Sequence, residues 1–207
     1  MSMAEIKTLR QRTGAGILDC KKALSEAGGD LDAAVDWLRT KGIANAAKKS
    51  SRIASEGLVG SYIHANGKIG VLVEVNCETD FVALNDNFKD LVRDISMHIA
   101  AAGPDYVRRE EVPADVAAKE KEIQLARTIE EGKPPQIAEK IVEGRMNKWF
   151  QDVCLMEQKF VKADDKTVEQ VVQDAVATIG ENIQIRRFSR FVLGEGLEKR
   201  SDDFAAE

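Results

Sequence analysis

Residues 58–76 read Leu-Val-Gly-Ser-Tyr-Ile-His-Ala-Asn-Gly-Lys-Ile-Gly-Val-Leu-Val-Glu-Val-Asn. Two strand-like runs, 58–65 and 68–76, flank Asn66-Gly67. A type I′ turn needs positive φ at both central residues, and Asn-Gly supplies it at the least steric cost. The second run places Ile69, Val71, Val73 and Val75 on one face. A two-residue loop then pairs Tyr62 with Val71 and His64 with Ile69, leaving His64 at the hairpin tip on the side of the apolar row. The middle of the chain is thereby committed to antiparallel sheet.

Downstream, Thr79-Asp80-Phe81-Val82 forms a connection, and residues 87–102 read as a helix. Phe88, Leu91, Val92, Ile95, Ile99 and Ala102 follow the i, i+3, i+4 pattern, and Gly103-Pro104 ends it. On the residues alone, Phe81 reads as core, stapling the connection onto this helix. Residues 114–131 and 136–152 favour helix on either side of Gly132-Lys133-Pro134-Pro135, which predicts a helical hairpin. Its first helix is highly charged with a thin apolar stripe (Val116, Ile123, Ala126, Ile129), so the hairpin is expected to project into solvent or meet a partner. Thr167 and Gln170 form a capping-box pattern before a stripe of Val168, Val171, Val172, Ala175 and Ile179, with Gly180 as terminator. A long strand follows through Ile183, Ile185, Phe188, Phe191, Val192 and Leu193. Its apolar phase breaks at Arg186-Arg187, which predicts a bulge or an edge. A charged tail, 198–207, is expected to fray.

Upstream, residues 1–45 predict three short helices. Ile6 and Leu9 mark the first; Ile17, Cys20, Leu24 and Ala27 the second; Leu31, Ala34, Val35 and Leu38 the third, capped by Asp30 and closed by Gly42. Residues 46–56 read as a linker, and 57–200 as one core containing the hairpin 114–152. Clustered strands and helices without βαβ alternation give an α+β class: an antiparallel sheet with helices on one face.

Composition narrows the function. The chain has 207 residues, 43% hydrophobic and 31% charged, with a net charge of −5. Basic residues are dispersed among acids, so direct nucleic-acid binding is not expected. Cys20, Cys77 and Cys154 lie far apart, as reduced thiols of a cytoplasmic protein do. With no C-x-x-C and only His64 and His98 as histidines, zinc is not expected. No stretch reaches the ~20 apolar residues of a membrane helix, and the N-terminus lacks the basic and apolar regions of a secretion signal. There is no P-loop and no G-x-G-x-x-G; Gly14-Ala15-Gly16 reads as loop geometry. No paired carboxylates or Ser/His/Asp set stands out, and no cofactor is called for. A binding protein is favoured over an enzyme.

Four stretches carry a family resemblance. Thr13-Gly14-Ala15-Gly16-Ile17-Leu18-Asp19-Cys20-Lys21-Lys22-Ala23-Leu24 resembles the N-terminal signature of the bacterial elongation factor Ts family. Glu74-Val75-Asn76-Cys77-Glu78-Thr79-Asp80-Phe81-Val82 resembles its second signature. Gly180-Glu181-Asn182-Ile183-Gln184-Ile185-Arg186-Arg187 and Val192-Leu193-Gly194-Glu195-Gly196 are similar to its C-terminal core. The resemblance implies guanine nucleotide exchange on the GTPase elongation factor Tu, without enzymatic chemistry. It also implies that the first three helices form a ubiquitin-associated-like domain.

By the same resemblance, Thr79, Asp80, Phe81 and Val82 enter the GTPase near its Mg²⁺ and phosphate site. Lys21, His64, Ile179 and Gly180 match positions that touch the GTPase elsewhere. The longest family members carry two related core subdomains, whereas this chain has room for one. The short members associate as homodimers, which implies a homodimer here and a heterotetramer with the GTPase. The alternative is a plain interaction module whose helices bind ubiquitin-like or helical-peptide partners. A thiol enzyme using Cys20 or Cys77 is a third reading.

Overall fold

The computed structural model describes residues 2–197; the expected frayed tail lies outside the described residues. The first three helices are α1 (Met3–Thr13), α2 (Ile17–Glu26) and α3 (Leu31–Lys49). Ser2 and Glu5 form a capping box on α1, and Asp30 accepts the Ala33 N–H at the start of α3. Ile6, Leu9, Cys20, Ala23, Leu24 and Ala34 are buried together as one cluster. Cys20, Leu24 and Ala27 of the expected α2 stripe face this cluster, while Ile17 at the first turn stands half exposed.

Gly42 does not close the third helix. α3 continues through it to Lys49, into the expected linker. A Cβ on Gly42 would stand 3.3 Å from the Cβ of Ala177. The glycine is therefore there for close helix packing, and Ala46 one turn later joins the main core.

The hairpin is β1 (Glu56–His64) and β2 (Ile69–Cys77). His64 pairs with Ile69 and Tyr62 with Val71, as expected. Asn66 and Gly67 both have positive φ, 52° and 70°. After β2 come a single helical turn, α4 (Asp80–Ala83), and the long helix α5 (Asp86–Ala102). Phe88, Leu91, Val92, Ile95 and Ile99 are all buried, while Ala102 at the last turn is exposed. The hairpin helices are α6 (Ala114–Glu130) and α7 (Pro135–Val153). A short two-stranded ribbon, β3 (Lys159–Phe160) with β4 (Ala163–Thr167), was not legible in the sequence. The capping box Thr167–Gln170 opens α8 (Val168–Ile179), and Gly180 ends it with φ 94°.

The last strand, β5 (Gln184–Val192), pairs antiparallel with β2, giving the order β1-β2-β5. Glu74 faces Arg187 and Val75 faces Ile185, so Arg186 is the extra residue of the bulge expected there. Two consecutive arginines thereby reach one carboxylate: Arg186 and Arg187 bond Glu74 at 2.8 and 2.7 Å. They hold its pKa down at about 2. Val71, Val73 and Val75 are buried beneath α5, and Ile185 of β5 joins the same core. The helices cover this one face, as an α+β fold requires.

The α6–α7 hairpin forms as expected, with the thin apolar stripe of α6 turned to solvent. Val116, Ile123, Ala126 and Ile129 are exposed. The half-buried and buried positions of α6 are Ala117, Glu120, Gln124 and Thr128. Arg145 of α7 explains the choice. It donates to Thr128 Oγ1 at 3.2 Å and reaches the Glu131 carboxylate at 2.9 and 2.7 Å. A satisfied polar cluster thus joins the buried Ala138 and Val142 of α7 in the hairpin.

Candidate partner-binding site

The connection after β2 is built from its backbone outward. Four residues are too few to hold a helix by themselves, because the first turn fixes many dihedrals for one hydrogen bond. Outside contacts must hold α4, and four do. Thr79 caps it, its Oγ1 accepting from the Val82 N–H at 3.4 Å. Val82 packs on the main core and Ala83 is buried. The Cys77 thiol donates to the Thr79 carbonyl at 3.1 Å. The Glu181 carboxylate accepts the N–H groups of Glu78 and Thr79, both at 3.0 Å, and the Thr79 hydroxyl at 2.7 Å.

With Val82 and Ala83 turned inward, Asp80, Phe81 and Leu84 face solvent. Phe81 is 80% exposed and Leu84 67%. The reading of Phe81 as a staple is therefore corrected: one helical turn cannot bury residues 81 and 82 on the same side. Phe81 and Leu84 together give the clamped turn an exposed apolar surface.

Ile179 and Gly180 are drawn to the same place. Ile179 is half buried at the end of α8, Gly180 is exposed, and Glu181 ties the next residue to the Thr79 turn. The tie is reciprocal. Glu78 Oε1 accepts the Asn182 N–H at 2.6 Å, and the Asn182 amide donates to the Arg52 carbonyl at 2.8 Å. Glu181 lies in the Gly180–Arg187 stretch, yet no local pattern there marks it for this task. Partners 102 residues apart, two of them backbone N–H groups, leave no local signal.

His64 and Lys21 lie elsewhere. His64 is exposed at the far end of the hairpin, eight strand positions from the Glu56–Cys77 pair, or roughly 25 Å at the rise of a β-strand. Its Nδ1 lies 3.1 Å from the Tyr62 hydroxyl. Lys21 is exposed on α2.

The three cysteines are free and fully buried. Burial pushes the Cys77 and Cys154 thiols up to about 11, with Glu181 adding to the effect at Cys77. Thiols so disposed are poor nucleophiles. Among the described residues no cluster of three or more His, Cys, Asp or Glu side chains is placed to hold a metal ion. Among them, no helix is long and apolar enough to cross a membrane.

The family model described as elongation factor TS matches residues 44–195. The chain belongs to the elongation factor Ts family. Elongation factor Ts of Geobacter sulfurreducens is 63% identical over all 207 residues, covering 96% of that protein. That of Geobacter metallireducens is equally similar over the same spans. Elongation factor Ts of Desulforamulus reducens is 60% identical over the whole chain and 95% of its own length. The family match begins inside α3 and takes in α4, the Glu181 clamp and the full three-stranded sheet; the likeness to these elongation factor Ts relatives also extends over the first three helices.

Proposed function

We propose that the protein is a translation elongation factor that binds the GTPase elongation factor Tu and promotes GDP release, so that GTP can rebind. The exposed Phe81 on its clamped turn is the observation that carries this reading. Mg²⁺ demands near-ideal octahedral oxygen geometry and bridges the nucleotide phosphates to protein ligands. A rigid ring pushed beside that site displaces ligands by a small distance and loosens ion and nucleotide together. Phenylalanine suits the task because it has few rotatable bonds to immobilise. Asp80 beside it adds a negative charge that competes for the groups holding the phosphates.

Lys21, His64 and Ile179-Gly180 are the further contacts in this reading. Lys21 and His64 are exposed and stand apart from α4, so the factor grips its partner at separated points. Exchange by this route is reciprocal: whatever free energy the factor removes from GDP binding, GDP removes from factor binding. The factor needs no nucleotide site of its own, and it acts where its partner is, in the cytoplasm.

The test is fluorescent GDP release from elongation factor Tu by stopped flow. Phe81→Ala is expected to slow catalysed release. An unchanged rate sinks the lever. Pull-down with and without excess GDP separates exchange from a plain interaction module, which GDP does not oppose.

The uncovered face of the sheet supports a homodimer, and hence a heterotetramer with the GTPase. Ile63, Gly70 and Phe191 form one row across the three strands. Val59, Leu72 and Leu193 lie around them, all exposed. An apolar sheet face needs a cover, and a second copy with the same face supplies one.

A further inference from the structure

We propose that Glu181 is a positioning residue for the exchange lever: its carboxylate sets the direction in which Phe81 is presented. This rests on the reading of Phe81 as the group that acts on the GTPase. Glu181 itself is half buried and sits behind α4, so its effect must pass through the turn it holds.

The argument is one of degrees of freedom. α4 has a single turn, with Phe81 as its second residue. A rotation of a few degrees at residues 78 and 79 swings the ring tip by more than the displacement that costs Mg²⁺ a ligand. The peptide N–H groups of those two residues both end on Glu181 Oε2, and the Thr79 hydroxyl ends on Oε1. Three donors on one carboxylate fix both the plane and the tilt of that peptide pair. Hydrogen bonds to an ionised acceptor are about twice as strong as neutral ones. The same hydroxyl caps α4 through Val82, so the clamp and the cap share an atom.

The reverse bond, Glu78 to the Asn182 N–H, closes a ring between residues 78–79 and 181–182. Gly180 adjoins that ring. The Asp80-Phe81 turn and the Ile179-Gly180 turn are thus one rigid body, and contact at one fixes the approach of the other. Removing Glu181 lets the ring still reach the partner but in many orientations. Binding survives and the displacement of ligands does not.

The experiment measures GDP release from elongation factor Tu at rising concentrations of full-length factor. Glu181→Ala and Glu181→Asp, whose carboxylate is one methylene short, are expected to lower the saturating rate about tenfold while the half-saturating concentration moves less than about threefold. Glu181→Gln is expected to stay within about threefold of the parent rate, because its Oε1 can take both N–H groups while its amide donates to the Thr79 hydroxyl. In a Phe81→Ala background, Glu181→Ala is expected to have no further effect on the saturating rate, since the two act as a unit. Should the Ala variant fail to fold, the Asp and Gln variants carry the comparison. Positioning is overturned if Phe81→Ala slows release while Glu181→Ala and Glu181→Asp stay within twofold of the parent. It is also overturned if the Glu181 loss persists undiminished in the Phe81→Ala background. An unaffected Phe81→Ala variant overturns the lever, and the positioning role with it.

Discussion

Gly42 of α3 and Ala177 of α8 meet at a close range: a Cβ on Gly42 would lie 3.3 Å from that of Ala177, so the neighbour would have to give by a few tenths of an ångström. Two effects oppose each other on substitution. Alanine gains about 1 kcal/mol of helix propensity over glycine, and the tight contact takes some of it back. Gly42→Ala is expected to leave stability within about 1 kcal/mol of the parent. Gly42→Leu is expected to lose about 1–3 kcal/mol through overpacking. Urea unfolding measures both, and a leucine variant as stable as the parent contradicts the close approach.

Phe81 and Phe88 make a matched pair, seven residues apart and opposite in environment. Phe88 is fully buried and Phe81 is 80% exposed. Phe81→Ala is expected to change unfolding free energy by less than about 0.5 kcal/mol, as for other surface positions. Phe88→Ala is expected to cost about 3–5 kcal/mol. A Phe81→Ala variant that unfolds as readily as Phe88→Ala would mean that the ring is part of the core.

His98 gives the fold a pH response. It is fully buried; its Nδ1 accepts the Val161 N–H at 3.3 Å, so Nε2 carries the proton and donates to Gln158 Oε1 at 3.0 Å. Burial holds its pKa below the ordinary value, against a smaller upward pull from Gln158. The unfolded chain therefore takes up this proton first. The stability His98 contributes is fully present above about pH 6.5 and drains away as pH falls below that toward the lower folded value. Urea midpoints at pH 7.5 and 5.5 test this against His98→Gln, which is expected to show a shallower decline.

Phe191 is the largest side chain on the open face of the sheet, 67% exposed in the row with Ile63 and Gly70. Phe191→Asp puts a charge into any apolar cover over that row. Sedimentation is expected to find a dimer for the parent and a monomer for the variant, and the parent's unfolding midpoint, unlike the variant's, is expected to rise with protein concentration. A monomeric parent removes the reading of a second copy.

How much of this was legible depends on whether a feature is local. The hairpin register follows from Asn66-Gly67 and the valine alternation, and it holds residue for residue. The buried face of α5 and the caps at Asp30 and Thr167 are also local, and they hold. Gly42 was misread because a glycine reads as a stop, whereas here its missing side chain serves a helix 135 residues away. The seam of α6 was not legible because one of its ties, Arg145 to Thr128, comes from the facing helix and leaves no local pattern. At the candidate site, Phe81 stood out in sequence only through a resemblance, and periodicity pointed it inward. Its true direction is set by Glu181, and a backbone donor held by a distant carboxylate leaves no pattern to read.

The continuity of α3 has a final consequence. Nineteen residues of unbroken helix make a rod about 28 Å long, seated at one end in the small N-terminal cluster and at the other in the main core. Such a rod works as a caliper. In the proposed complex, Phe81 engages first and Lys21 is held at a set span from it, so the second contact forms at an effective concentration fixed by geometry in place of a flexible tether. A protein offering only one of the two footholds gains a single weak contact, so the spacing itself discriminates among partners.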